Sequence, residues 1–120
     1  MKRIIFILVI AVMSPLLCSL AHGWTVTVHN DYVNDVRVYM IGHHLFWSTT
    51  DCEVTVHPGQ EGKCVLPGGI CPHGYDVYEH APSGSGWSLK QLGESHDFWA
   101  TKCWDTSLRI KPKGQVIWPE

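Results

Sequence analysis

The feature that most constrains the fold is a set of four cysteines in the part of the chain that follows an apolar leader. They are Cys52, Cys64, Cys71 and Cys103. An even number of cysteines in a small exported domain indicates disulfides. The chain lacks the closely spaced CxxC pairs that zinc thiolate sites use. We therefore expect a small fold with two disulfides, each stabilising it by roughly 3 kcal/mol.

The segment DCEVTVHPGQEGKC favours the pairing of Cys52 with Cys64, which leaves Cys71 for Cys103. Alternating apolar and polar residues after Cys52 predict a half-buried strand, and the Pro-Gly pair at Pro58 predicts a turn. If the chain doubles back there, Cys52 and Cys64 lie opposite each other in an antiparallel hairpin. Facing residues are then about 4.5 to 5.5 Å apart at Cα, which suits a disulfide. The other two pairings stay open at this point.

The N-terminal segment has the organisation of a secretory signal peptide. Two basic residues precede an uncharged apolar run, and Ser19 and Ala21 are the small residues expected before a cut. The run is shorter than the roughly 20 residues of a membrane-spanning helix, although an uncleaved anchor is the alternative. We expect residues 1–21 to be a signal peptide and residues 22–120 to form one domain, secreted or periplasmic and not attached to a membrane. A cut after Gly23 also satisfies the pattern.

The charge of the exported chain argues against a nucleic-acid partner. Cleavage removes two of the nine basic residues and none of the eleven acidic ones, so the formal net charge changes from −2 to −4. Nucleic-acid binding requires a clustered basic face. The short run Lys111-Pro112-Lys113 is better interpreted as a solvated turn.

Alternation with a period of two predicts an all-β fold. The segments WTVTVHN and VRVYMIG each place apolar residues on one face, and GYDVYEH and TSLRIK predict further strands. We expect NDYVND to be a loop, KPKG and QVIW to form a last hairpin, and SLKQL to make a short helical turn. Six or seven short strands at intervals of about ten residues indicate a small antiparallel β-sandwich or a small barrel.

The segment IGHHLFWS holds the first candidate site. If residues 42–48 are extended, His43 and His44 point to opposite faces and do not hold one metal ion together. In one interpretation the histidines lie at a loop or strand end while Phe46 and Trp47 pack inward. In the other, these side chains form a surface patch of the residue types that are enriched where proteins recognise partners.

The six tryptophans exceed what a core of this size readily hides. Trp24 and Trp118 continue alternating apolar faces, which predicts core or edge positions. Trp87 follows APSGSG, which we expect to be a flexible loop, and its ring either binds a sugar or protein pocket or covers the end of the sandwich. Trp99 and Trp104 have the same two interpretations. Our candidate binding residues are His43, His44, Trp47 and Trp87.

The sequence carries none of the local motifs of a hydrolase or nucleotide-binding enzyme. It has no GxSxG elbow, no HExxH helix and no glycine-rich phosphate loop. His96 and Asp97 are neighbours whose side chains diverge, while a triad assembled across the fold stays open. We therefore expect a non-catalytic binding protein with a protein or glycan partner and no cofactor.

A cut after Ala21 would make His22 the first residue, and this start resembles that of histidine-brace copper proteins. In those proteins, the lytic polysaccharide monooxygenases and small periplasmic copper carriers, the terminal amine and imidazole bind copper together, and nitrogen ligands suit Cu(II). The resemblance implies an alternative function in copper binding, and a cut after Gly23 would remove the site. The further histidine that this site requires would come from His43, His44, His57 or His96.

Three segments, TVTVHND, VHPG and KCWDTSLRIKPKG, loosely resemble the plant self-incompatibility S-protein homologues, which are secreted disulfide-bonded sandwiches that act as ligands. The cysteines depart from that pattern, because VRVYMIG lacks the expected cysteine and Cys52 and Cys64 lie elsewhere. We therefore assign no family on this resemblance. It illustrates that a secreted ligand is a reasonable role for such an architecture.

Overall fold

A computed structural model describes residues 22–44, 46–83, 86–96 and 101–120, with residues 22, 82, 83 and 86–89 described by their backbone only. The predicted signal peptide and Trp99 lie outside the described residues.

Within these described ranges, eight strands form two four-stranded sheets that pack against each other. The strands are β1 (His22–Asn30), β2 (Asp35–His43), β3 (Ser48–Val56), β4 (Glu61–Pro67), β5 (Cys71–Ser83), β6 (Gly86–His96), β7 (Thr106–Ile110) and β8 (Val116–Ile117). The first sheet has the order β4-β1-β7-β8 and the second has the order β3-β2-β5-β6. Neighbouring strands are antiparallel except β1 and β7, which run parallel. The predicted β-sandwich is confirmed.

The core lies between the inner faces of the two sheets, where the predicted alternation places it. Val26 and Val28 of β1 are fully buried, as are Val36, Val38 and Met40 of β2. Each such side chain stabilises the fold by about 1.5 to 3 kcal/mol relative to an exposed position. Trp118 packs against this core from its edge, whereas Trp24 is 38% exposed at the irregular start of β1.

Both predicted cysteine pairs are confirmed, with Cα distances of 5.7 Å for Cys52–Cys64 and 4.8 Å for Cys71–Cys103. The hairpin from which we predicted the first pair is wrong, because β3 and β4 lie in different sheets. Between them the chain crosses from the second sheet to the first near Gln60. The Cys52–Cys64 bond therefore joins the edge strands of opposite sheets and closes one side of the sandwich.

Two local predictions are also wrong. The segment SLKQL, expected to make a helical turn, belongs to β6, where Leu89 pairs with His80 and Lys90 with Glu79. The expected loop APSGSG is largely strand, since β5 continues to Ser83 and β6 begins at Gly86. Pairing along a long hairpin overrides the weak local preferences of these residues.

No described segment is a helix long and apolar enough to cross a membrane.

The connections between strands gather at two opposite ends of the sandwich. The upper end is the one that carries the β2–β3 turn, residues 44–47, and the β4–β5 turn, residues 68–70. The lower end carries the β1–β2 loop, residues 31–34, the crossing from β3 to β4 and the β7–β8 turn, residues 111–115. The predicted last hairpin and the predicted loop after β1 are both confirmed here.

Candidate functional site

The β2–β3 turn brings three of the four candidate binding residues together. β2 ends at His43 and β3 begins at Ser48, and the backbone N–H of His44 donates to the carbonyl of Trp47 at 2.9 Å. The continuous extended conformation weighed for residues 42–48 is therefore wrong. The histidines lie at a strand end, as one interpretation expected.

The aromatic side chains of this turn face solvent. Phe46 is 84% exposed and Trp47 is 56% exposed. The prediction that they pack inward is wrong, because the turn lies at the end of the two sheets and not between them. A surface patch of aromatic and imidazole side chains is what the structure contains.

A hydrogen-bonded network holds the Trp47 ring in place through His44. The two rings stack with centroids 5.5 Å apart and an angle of 6° between their planes. The Nε2 atom of His44 lies 2.9 Å from Oδ2 of Asp51, a distance at which an Nε2–H donates to the carboxylate. Thr49 donates its hydroxyl to Oδ1 of the same carboxylate at 2.9 Å. Since Asp51 is only 11% exposed, the network is anchored in the body of the fold.

Gly42 makes room for this anchor at the base of the turn. A Cβ atom there would overlap the Asp51 carboxylate and the side chain of Ile70. The register of β2 shifts between Met40 and Ile41 against β3, and between Ile41 and Gly42 against β5. Such bulges redirect side chains at the ends of strands. Here they accompany the change from the regular ladder to the turn.

A depression of about 570 Å³ lies beside the stacked rings. Its lining consists of His43, His44, Trp47, Gly69, Ile70, Cys71, Thr101 and Cys103. The Cys71–Cys103 disulfide ties the segment before β7 to β5, and the N–H of Lys102 donates to the carbonyl of Pro72 at 2.7 Å. His43 contributes an imidazole that meets His73 edge to face, with ring centroids 6.0 Å apart. One wall of the depression is therefore fixed covalently and the other by the hydrogen-bonded turn.

Two further tryptophans have defined surroundings. Trp104 is 51% exposed, and the ammonium of Lys102 lies 5.8 Å from the centre of its ring. Trp118 donates its indole N–H to the hydroxyl of Thr106 at 2.9 Å and meets Tyr75 edge to face. The prediction that Trp118 is a core or edge residue is confirmed, while Trp104 lies on the surface.

The structure does not bring Trp87 to the upper end. Trp87 pairs with Pro82 in the β5–β6 ladder, whereas His43 pairs with Cys71. Pro82 lies eleven positions after Cys71 along β5, which corresponds to about 35 Å at the rise of a β-strand. The four candidate binding residues therefore belong to two separate regions.

The histidines considered as copper ligands are also distributed over the fold. The backbone of His22 pairs with Pro67, next to the β4–β5 turn, and so lies at the same end as His43. His44 is already engaged by Asp51 through Nε2. His57 lies at the lower end, with Nδ1 2.9 Å from Asp35. Copper binding at His22 stays a prediction.

The role of Asp51 and Thr49 in supporting His44 was not predicted from the sequence. They follow His44 by seven and five residues, and only the hairpin register places all three on one side of the turn. The useful signal would have been a carboxylate shortly after a histidine across a short turn.

The chain matches no protein-family model, and neither curated proteins nor solved structures show a significant similarity to it.

Proposed function

We propose that this is an exported, secreted or periplasmic protein that binds a protein or glycan partner through the β2–β3 turn and catalyses no reaction. The observation that carries the proposal is the Trp47 ring, which is held flat against His44 on one face and is 56% exposed. A large aromatic ring exposed on a fixed support is the kind of group that dominates binding energy in protein interfaces.

The rigidity of the turn lowers the entropic cost of binding. Immobilising a side chain at an interface costs about 0.5 to 1.5 kcal/mol. Stacking on His44, whose position is fixed by Asp51, restricts the Trp47 ring before any partner arrives. Phe46 extends the apolar surface beyond Trp47 at the tip of the same turn. Two projecting rings suit insertion into a pocket of a partner protein better than they suit a flat sugar platform.

Export is supported by the two cysteine pairs and by the leader sequence. Disulfides persist in oxidising compartments and are rare in the cytosol. The signal-peptide pattern of residues 1–21 leads to the same compartments. Binding by the folded domain then takes place outside the cytosol.

The test compares three forms of the protein in partner capture. Crosslinking to extracellular proteins and display on a glycan array would be done with the wild type, Trp47→Ala and Val33→Ala. Val33 is a suitable control because it is 73% exposed but lies in the β1–β2 loop at the lower end. We expect a partner that binds the wild type and Val33→Ala alike and loses at least about 2 kcal/mol, or thirtyfold in affinity, with Trp47→Ala. Equal binding by all three forms would refute the proposal.

Copper binding is a second candidate function, and one observation favours keeping it. The backbone places His22 at the same end as His43. The first measurement is the N-terminal residue of the exported protein by mass spectrometry. A chain that starts at Trp24 lacks the N-terminal histidine that a histidine-brace copper site requires. A chain that starts at His22 should bind Cu(II) with a Kd tighter than about 1 µM, or roughly −8 kcal/mol, and weaker binding would exclude this function.

A further inference from the structure

A second group of chemically active side chains lies on the outer face of the second sheet, apart from the β2–β3 turn. Asp76 of β5 is directly opposite Glu94 of β6, and His96 follows two residues later on the same strand. Residues two apart on a strand share a face. One ligand atom from each of the three side chains lies within 4.8 Å of the other two. Within the described part of the chain, they form a compact group of one imidazole and two carboxylates.

Gly74 lets β5 and β6 approach each other closely beside this group. It is the β5 residue opposite His96, and a Cβ atom there would overlap the carbonyl of Ser95. With no side chain opposite it, the imidazole lies over β5, and Nε2 of His96 is 2.9 Å from Oδ1 of Asp76. Glu94 is held nearby by Gln91, whose amide donates to Oε2 at 3.1 Å.

The charges of this group are not balanced by a basic side chain. Carboxylates directly opposite each other on neighbouring strands are destabilising. Among the described residues, no lysine or arginine nitrogen lies within 4.0 Å of Asp76 or Glu94, and Arg37 is paired with Glu53 at 3.5 Å. His96 supplies a positive charge only when it is protonated. A divalent cation would compensate both carboxylates at once.

The donor atoms determine which cations fit. Imidazole nitrogen with carboxylate oxygens suits Zn²⁺ and related transition metals, whereas Mg²⁺ and Ca²⁺ prefer oxygen ligands alone. Zinc–ligand distances of about 2.0 to 2.2 Å require the three groups to move together by about 1 Å. Glu94 is exposed and His96 is half exposed, so both side chains have room to move.

One member of the group, Asp76, also lines a depression of about 410 Å³ together with Tyr39, Thr50 and Tyr78. The two tyrosine rings meet edge to face there, with centroids 5.8 Å apart. Three protein ligands leave at least one coordination position of a zinc ion for water or an external donor.

We propose that Asp76, Glu94 and His96 form a site for a divalent transition-metal ion such as Zn²⁺, beside the depression that Asp76 shares with Tyr39 and Tyr78. The site is independent of the proposed role of the β2–β3 turn.

The experiment is titration of the purified, oxidised, metal-free protein with ZnCl₂ by calorimetry at pH 7. We expect one site on the wild type, and a loss of at least about 10- to 100-fold in affinity with Glu94→Gln or His96→Gln. The matched control is His57→Gln, since His57 pairs with Asp35 at the same distance of 2.9 Å and the described residues supply no third ligand there. That variant should bind zinc like the wild type.

Two measurements separate this site from other outcomes. In EDTA, Glu94→Gln should unfold at the same temperature as the wild type or higher, because it removes a like-charge pair. The visible spectrum of bound Co²⁺ should change with His96→Gln and not with His57→Gln. A wild type that binds zinc no more tightly than about 100 µM, or undiminished binding by both site variants, would overturn the proposal.

Discussion

The two ends of the sandwich use similar hydrogen-bonded networks for opposite purposes. At the lower end the side chain of Asn30 is fully buried, donating to the carbonyls of Asn34 and Val56 at 2.9 Å and accepting the N–H of Tyr32 at 2.8 Å. At the upper end the network around His44 fixes a ring that remains half exposed. The first network closes the core, and the second holds a surface in a fixed shape.

The difference shows where this fold can accept change. Polar groups buried at the lower end have lost water and depend on Asn30 as their partner. The exposed aromatic side chains of the β2–β3 turn are not among the residues that pack against the core, so their removal should affect stability little. A binding surface on a connection, supported by a rigid scaffold, is a common arrangement in proteins.

The largest expected effect comes from breaking the lower end with Asn30→Ala. The substitution deprives two carbonyls and one N–H of their hydrogen-bond partner in a buried or half-buried setting. At about 1 to 3 kcal/mol for each unsatisfied group, we expect a loss of about 3 to 5 kcal/mol in the free energy of unfolding. Urea unfolding followed by far-ultraviolet circular dichroism measures it.

Val33→Ala in the same loop is the control, because its exposed side chain should change stability by no more than about 0.5 kcal/mol. If Asn30→Ala costs less than about 1 kcal/mol, water replaces the amide and the lower end is not closed as described.

An intermediate effect is expected from Gly42→Ala, which disturbs the support of the upper end. The added methyl group overlaps the Asp51 carboxylate and Ile70. We expect a loss of about 1 to 3 kcal/mol in stability, as for overpacking elsewhere, together with a loosened Trp47 ring. The indole N–H signal of Trp47 in a ¹⁵N-resolved NMR spectrum should shift or broaden.

Gly93→Ala tests whether this response is specific to the turn. Gly93 lies in β6, the edge strand of the second sheet, and a methyl group there would meet Val116 of β8 in the first sheet at 3.1 Å. It should alter stability while leaving the Trp47 signal in place. An identical change of that signal in both variants would mean that the ring responds to general loosening and not to Asp51.

The strands and the presence of two disulfides follow from the sequence, because they depend on local alternation and on the number of cysteines. The sheet to which a strand belongs does not. Val54 and Val56 alternate in the same way whether β3 pairs with β4 or with β2, so the Cys52–Cys64 pair was predicted for a hairpin that does not exist. Alternation specifies faces, and pairing partners are decided by the packing of the whole domain.

The candidate sites show the same limit more strongly. The aromatic content of the β2–β3 turn was visible in the sequence, but the exposure of Phe46 and Trp47 depends on where that turn lies relative to the two sheets. Asp76 and His96 are twenty residues apart and meet only because the β5–β6 hairpin aligns them. Geometry that arises from the register of a long hairpin has no local signal.

The smallest expected effect concerns Arg109, which links the end of the chain to the lower end. Its Nε–H donates to Glu120 and its Nη1–H donates to Asp31, both at 2.6 Å. The hydrogen bond from Arg109 is the main reason that the pKa of Glu120 lies below its ordinary value of 4.5. The stabilisation from a carboxylate with a lowered pKa is complete above the unfolded value and disappears as the pH falls through the folded value.

Glu120→Gln should therefore lower the melting temperature slightly at pH 7 and have no effect in acid below the folded pKa, where the wild-type side chain is itself neutral. Thermal unfolding of both proteins, from pH 7 down to acid below the folded pKa of Glu120, measures the difference in melting temperature. Added salt should shrink it at pH 7, because the pair is exposed and screened. A difference that persists in acid would mean that the Glu120 side chain acts through packing and not through its charge. In that case the charge of Glu120 would contribute nothing to the lower end, whose closure would depend on the buried network of Asn30 and on the pair between Arg109 and Asp31.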